Sequence, residues 1–217
     1  MTNVFSGLRV TVLALISIAS APGWAIEPAT IANQGTGNQA ACAGCHGKDG
    51  GGQGSFPRLA GMNASYLLKQ LSDFASGSRD SAIMKPIVAV LSPDDRKAVA
   101  GYFAQLPIPK AGAPIESASA ESIGKQLAMR GVWSKEVPAC VQCHGPGGVG
   151  VGSSFPALAG QSSSYITGQL QAWQRGTRRN DPLELMRHIA SKLSADEVSA
   201  VSEWFARQPA LPSAGRP

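Results

Sequence analysis

Cys42-Ala43-Gly44-Cys45-His46 and Cys140-Val141-Gln142-Cys143-His144 are the two stretches on which the reading of this chain turns. The likeness between them does not end at the histidines. Phe56-Pro57-Arg58-Leu59-Ala60-Gly61 returns as Phe155-Pro156-Ala157-Leu158-Ala159-Gly160, Ser65-Tyr66 as Ser164-Tyr165, and Gln70-Leu71 as Gln169-Leu170. Gly77 and Arg79 match Gly176 and Arg178, Met84 matches Met186, Leu91-Ser92 matches Leu193-Ser194, and Phe103-Ala104 matches Phe205-Ala206. The offset drifts only from 98 to 102 along the whole series. A unit of about 100 residues is therefore written twice, with small loop insertions. The Pro/Ala/Ser-rich stretch 107–120 reads as the linker between a first domain, 26–106, and a second, 121–217.

Both units read as helical. Ser92-Pro93-Asp94-Asp95 supplies an N-cap, a proline at the first helical position and acids in the first turn. Ser194-Ala195-Asp196-Glu197 is a capping box. Behind these signals, Ala98, Val99, Tyr102 and Phe103, and Ala200, Val201, Trp204 and Phe205, recur at helical spacing, so each unit ends in an amphipathic helix. Further helices are predicted over 64–75 and 163–175, over 121–130, and more weakly over 31–41. No alternating strand pattern appears. The expected fold is all-α, two tandem domains of three to four short helices each.

The 217 residues are 15% charged and 43% apolar, which excludes a charged disordered chain, a coiled coil and a multi-span membrane protein. Residues 1–25 read as a secretory signal peptide, with Arg9, a short apolar run and Gly23-Trp24-Ala25 before the cut. Export to the periplasm follows. Loss of Arg9 takes the formal net charge from +5 to +4. The chain lacks basic tracts interleaved with aromatics, which argues against a nucleic-acid partner.

Domains this small, with few large apolar side chains, have marginal cores. The Cys-x-x-Cys-His pair suggests what completes them. At i and i+3 on a helical turn two thiols share one side, where each can add to a vinyl group of a porphyrin, and the next imidazole sits under the iron. Three rivals are weaker. A zinc site would have to join pairs 98 residues apart, each with its own histidine; a thioredoxin-like motif wants a βαβ context; and structural disulfides stay open in an exported chain. Two covalently bound haem c groups are expected, on Cys42 and Cys45 and on Cys140 and Cys143.

For the iron's sixth ligand, only Met84 and Met186 occupy equivalent repeat positions, 38 and 42 residues after His46 and His144. Met62 and Met129 read as packing. A ligating imidazole usually gives its other N–H to a carbonyl, a role assigned to Pro57 and Pro156. Leu59 and Leu158 are expected on the haem edge. Arg79 and Arg178 read either as partners of the haem propionates or as solvated loop arginines. His188, the one histidine outside the motifs, is placed on the surface.

These motifs and their order resemble the di-haem cytochrome c4 family, two class I cytochrome c domains in tandem, over nearly all of the mature chain. The resemblance rests also on Tyr66-Leu67-Leu68-Lys69-Gln70-Leu71 and on Leu185-Met186-Arg187 running into Lys192-Leu193-Ser194. It implies a periplasmic electron carrier with His46/Met84 and His144/Met186 as axial pairs and the two haems close together. One departure is Lys85-Pro86 after the first methionine, where the second unit has Arg187-His188. The expected function is electron transfer from a quinol-oxidising complex or dehydrogenase to a terminal oxidase, with peripheral membrane association left open. The alternative is a cytochrome subunit that accepts electrons from a periplasmic dehydrogenase, such as a sulfide-oxidising flavocytochrome. An enzyme in its own right would need an iron with a free position, so no catalytic residue is assigned.

Overall fold

The computed structural model describes residues 27–109, 118–181 and 183–211, so the predicted leader lies outside the described residues, as does most of the predicted linker. The described residues are helical and loop-built, with three isolated β-bridges and no strand. Helices α1 (Pro28–Gln34), α2 (Ala43–His46), α3 (Ala64–Ser76), α4 (Met84–Ala89) and α5 (Pro93–Gln105) make the first half. Their counterparts are α6 (Ala118–Met129), α7 (Cys140–His144), α8 (Ser163–Gln174), α9 (Leu185–Ser191) and α10 (Ala195–Arg207). None is long and apolar enough to cross a membrane.

The best-signalled helices fall where the sequence puts them. Both terminal helices start in a capping box: Ser92 Oγ accepts from Asp95 N at 3.1 Å while Asp95 accepts from Ser92 N at 3.0 Å, and Ser194 pairs with Glu197 in the same way. Asp95 thus does what glutamate does in the second half. Other bounds differ for local reasons. α1 starts early, at Pro28, and stops at Gly35, whose φ of +79° ends the helical turn. α6 begins at Ala118, inside the stretch read as linker, because alternate alanines there are strong helix formers and Glu121 favours the first turn. Neither α4 nor α9 was expected; each starts at or beside the repeat methionine.

Each half has its own core. Ile31, Leu67, Val99 and Phe103 anchor the first, and Leu127, Ile166, Leu170, Val198, Trp204 and Phe205 the second. The second is tighter because its longer N-terminal helix lies against α10. Gly124 marks the crossing: a Cβ there would run into the Ala200 carbonyl and the Cβ of Trp204. The C-terminal helix also holds the loop before the middle helix, since Phe103 and Phe205 carbonyls accept from Gly61 and Gly160 N–H at 3.1 and 2.9 Å.

The halves meet through buried polar groups. Arg58 N donates to Gln161 Oε1 at 2.8 Å, and Gln161 Nε2 returns a bond to the Arg58 carbonyl at 3.0 Å. The Arg58 guanidinium, 2% exposed, donates to the carbonyls of Ala60, Ala159 and Gly160. Burial lowers its pKa to about 10, so it remains charged at neutral pH. Ser162 Oγ also donates to the Gly54 carbonyl. At both Arg58/Ala157 and Met62/Gln161 the repeat is broken, and these positions build the joint.

Two substitutions test this packing. Gly124→Ala, which in an open helix would add up to about 1 kcal/mol of stability, is expected to cost about 1–3 kcal/mol by overpacking. Arg58→Ala strips donors from buried carbonyls and is expected to cost about 3 kcal/mol. Urea unfolding of the holoprotein followed by circular dichroism measures both; midpoints equal to wild type would mean these contacts do not bear on stability.

Candidate functional site

Each Cys-x-x-Cys-His motif forms a single helical turn, α2 or α7, closed by a glycine with positive φ, Gly47 at +80° and Gly145 at +79°. All four thiols are free and half-buried. Burial pushes the Cys140 thiol up to about 12 and raises that of Cys42, which keeps both protonated at neutral pH.

Both imidazoles are buried and held alike. His46 Nδ1–H donates to the Pro57 carbonyl at 2.8 Å and His144 Nδ1–H to the Pro156 carbonyl at 2.7 Å. That fixes the tautomer, leaving Nε2 as the free lone pair. Burial lowers both histidine pKa values against the opposing pull of those carbonyls, so the rings are neutral, as ligands must be. Phe56 and Phe155 meet the rings edge-on, at 6.2 and 6.1 Å between centroids. The repeat displayed these phenylalanines, but spacing alone gave them no role.

The proline carbonyls are aimed by a tight loop. His46 and His144 carbonyls accept from Gly52 and Gly150 N–H at 2.8 and 2.7 Å. Gly52 has φ +79°, and a Cβ there would sit 2.6 Å from Arg58 N; Gly150 has φ +86°, with Ala157 N at 2.6 Å from the same point.

One continuous cavity of about 790 Å³ runs through both halves. Cys42, Cys45, His46 and Met84 line it in the first half, and Cys140, Cys143, His144 and Met186 in the second. Leu59 and Leu158 line it too, as expected. Met62 is buried in the first core and also lines the cavity, whereas Met129 is exposed. The methionine segments are anchored differently: Met84 N donates to Ser81 Oγ, and Met186 N to an Asp181 carboxylate oxygen. His188 lies outside the cavity, exposed, with Nε2 3.6 Å from Glu136. Arg79 and Arg178 are buried rather than solvated, and they line the cavity near Tyr66, Gln70, Tyr165 and Gln169.

A haem fits this donor set. The walls are mainly apolar, each half offers two thiols and a neutral imidazole, and two buried guanidiniums find no carboxylate among the described residues. Anionic groups on an otherwise apolar plate satisfy both features.

The comparisons with known proteins agree. A family model for cytochrome c matches residues 36–107. The thiosulfate dehydrogenase electron acceptor of Stutzerimonas stutzeri (strain A1501) is 53% identical over 180 residues, covering 81% of this chain and 83% of its own length. The crystal structure of reduced recombinant cytochrome c4 from Pseudomonas stutzeri superposes with a TM-score of 0.72 at 34% identity, covering 77% of this chain and 93% of that one. A thiosulfate dehydrogenase (TsdBA) from Marichromatium purpuratum superposes at 0.78 with 43% identity; the match covers 84% of this chain but only 40% of that longer one. Fold and site define a di-haem c-type cytochrome, an all-α electron-transfer protein with two covalently bound haem c groups. The chain belongs to the cytochrome c4 family.

Gly52→Ala and Gly150→Ala are expected to displace the proline carbonyls and to cost at least about 2 kcal/mol each through backbone strain and steric conflict. A lowered urea midpoint with an altered haem absorption spectrum is the expected result. Unchanged values would show that the loop does not aim the carbonyl.

Proposed function

We propose that the chain is exported and that residues 26–106 and 121–217 are its two haem-bearing domains. Cys42 and Cys45 would hold the first haem, with His46 and Met84 as the residues that would ligate its iron; Cys140, Cys143, His144 and Met186 would do the same for the second. When bound, the haem supplies a one-electron iron couple. The chain's residues do the rest. Pro57 and Pro156 carbonyls orient the imidazoles, Leu59 and Leu158 would keep water from the macrocycle, and the methionine sulfurs would ligate the irons and raise the potentials relative to bis-His haem.

The observation that carries this reading is the convergence of His46 with Met84, and of His144 with Met186, on one cavity from equivalent positions of the repeat. With both axial positions filled, the chain has no open iron for substrate, and we assign it no catalysis of its own. The comparisons also support a choice of partner. Likeness to the thiosulfate dehydrogenase electron acceptor, and to a longer dehydrogenase chain of which this protein matches only part, favours a thiosulfate-oxidising enzyme as electron donor. A terminal oxidase is the proposed acceptor. This is the dehydrogenase-acceptor reading, with thiosulfate in place of sulfide.

Rapid mixing tests it. The oxidised holoprotein is expected to be reduced by catalytic thiosulfate dehydrogenase plus thiosulfate, and not by thiosulfate alone; turnover of thiosulfate by the isolated protein would refute it. Met84→Ala and Met186→Ala should each remove about half of the ferric methionine–iron charge-transfer band and lower one of the two potentials. A variant that keeps the full band would clear that methionine of ligation.

A further inference from the structure

Arg79 and Arg178 are like charges buried side by side, 6% and 7% exposed. Arg79 Nη1 donates to Gln70 Oε1 at 2.7 Å, and its Nη2 to Gln169 Oε1 at 2.7 Å and Tyr165 Oη at 3.0 Å. Arg178 Nη1 donates to Gln169 Oε1 at 2.8 Å and its Nη2 to Gln70 Oε1 at 3.2 Å. Arg178 Nε donates in addition to Asn180 Oδ1 at 2.9 Å. Both guanidiniums thus share the same two oxygens, Gln70 Oε1 from the first half and Gln169 Oε1 from the second. Phe74 and Trp173 hold the two planes from their own halves, with guanidinium carbons 4.6 and 4.1 Å from the ring centres.

No carboxylate among the described residues hydrogen-bonds to either arginine. Asp73, whose charge reaches Arg79, is taken up by Lys69 at 2.5 Å and Asn180 at 2.7 Å. Burial, and then the neighbouring Arg79 charge, press the Arg178 pKa below its ordinary value. Buried cations need anions close by, and the cavity beside them is where anions have access.

We propose that Arg79 and Arg178 act as one shared counter-charge for the carboxylate edges of both haems, so that neither reduction potential is set by its own half alone. This rests on the reading that each half carries a haem in the common cavity. A positive charge there disfavours the ferric state, which carries one more positive charge, and so raises the potential. Because Gln70 and Gln169 tie each guanidinium across the joint, removing one charge alters the field at both irons. Arginines private to their own halves would act on one iron each. The pair therefore positions charge for electron exchange between the haems.

The test uses the full-length holoprotein. Haem content is measured first, by mass and by haemochrome absorbance; fewer than two haems in wild type would overturn the underlying site reading. With two haems present, a redox titration resolved for each haem by its paramagnetic NMR signals is compared for wild type, Arg79→Gln and Arg79→Lys. For Arg79→Gln both couples are expected to shift toward the ferric form by about tenfold, about 59 mV for one electron. Arg79→Lys should restore most of both shifts. The isosteric Gln70→Glu, which sets a carboxylate between the guanidiniums, should also lower both potentials and serves if Arg79→Gln does not accumulate with two haems. A shift confined to one haem overturns the proposal. So do potentials that stay put while the unfolding midpoint drops, because the arginines would then only brace the joint.

Discussion

In each half the helices pack on one another and also leave part of their apolar surface facing a cavity, and that geometry makes the fold depend on what the cavity holds. The first core rests on few large side chains, Leu67, Val99 and Phe103 chief among them. Covalent capture at a half-buried turn fits such a scaffold, because cofactor and core cannot then separate. The neutral, buried imidazoles meet the same constraint. Their Nδ1–H groups are spent on proline carbonyls, so only Nε2 remains for the iron.

The joint between the halves follows a different logic. It uses several buried polar contacts, each requiring a partner once water is gone. Arg58 and Gln161 satisfy one another and the neighbouring carbonyls almost completely. Around Arg79 and Arg178 the hydrogen bonds are satisfied but the charge is not. The first set locks the arrangement, and the second leaves an electrostatic demand beside the cavity, which the proposal assigns to the haem carboxylates. A rigid joint suits electron transfer, which depends on fixed spacing and little rearrangement.

Much of this was legible in the residues. The duplicated Cys-x-x-Cys-His motifs, the register of Met84 with Met186 and the capping signals at Ser92 and Ser194 are local patterns, read without knowledge of the packing. The proline carbonyls were also within reach, since a ligating histidine needs an acceptor and prolines recur at fixed distance. The helices at Met84 and Leu185 escaped notice because segments this short carry too little periodicity to register. Helix α6 was cut short because alanine and serine are ambiguous between linker and helix.

By itself the sequence determined the chemistry of each half: two thiols and an imidazole on one turn, a sulfur on a later segment, and helices to carry them. Those features depend on spacing within about 40 residues. Only the tertiary structure decided how the halves are joined and what the arginines do. Arg58 and Gln161 look like lapses in the repeat, and Arg79 and Arg178 read equally as propionate partners or as solvated loop residues. Their partners lie roughly 90 to 110 residues away along the chain, a separation across which neither helical periodicity nor motif spacing carries information.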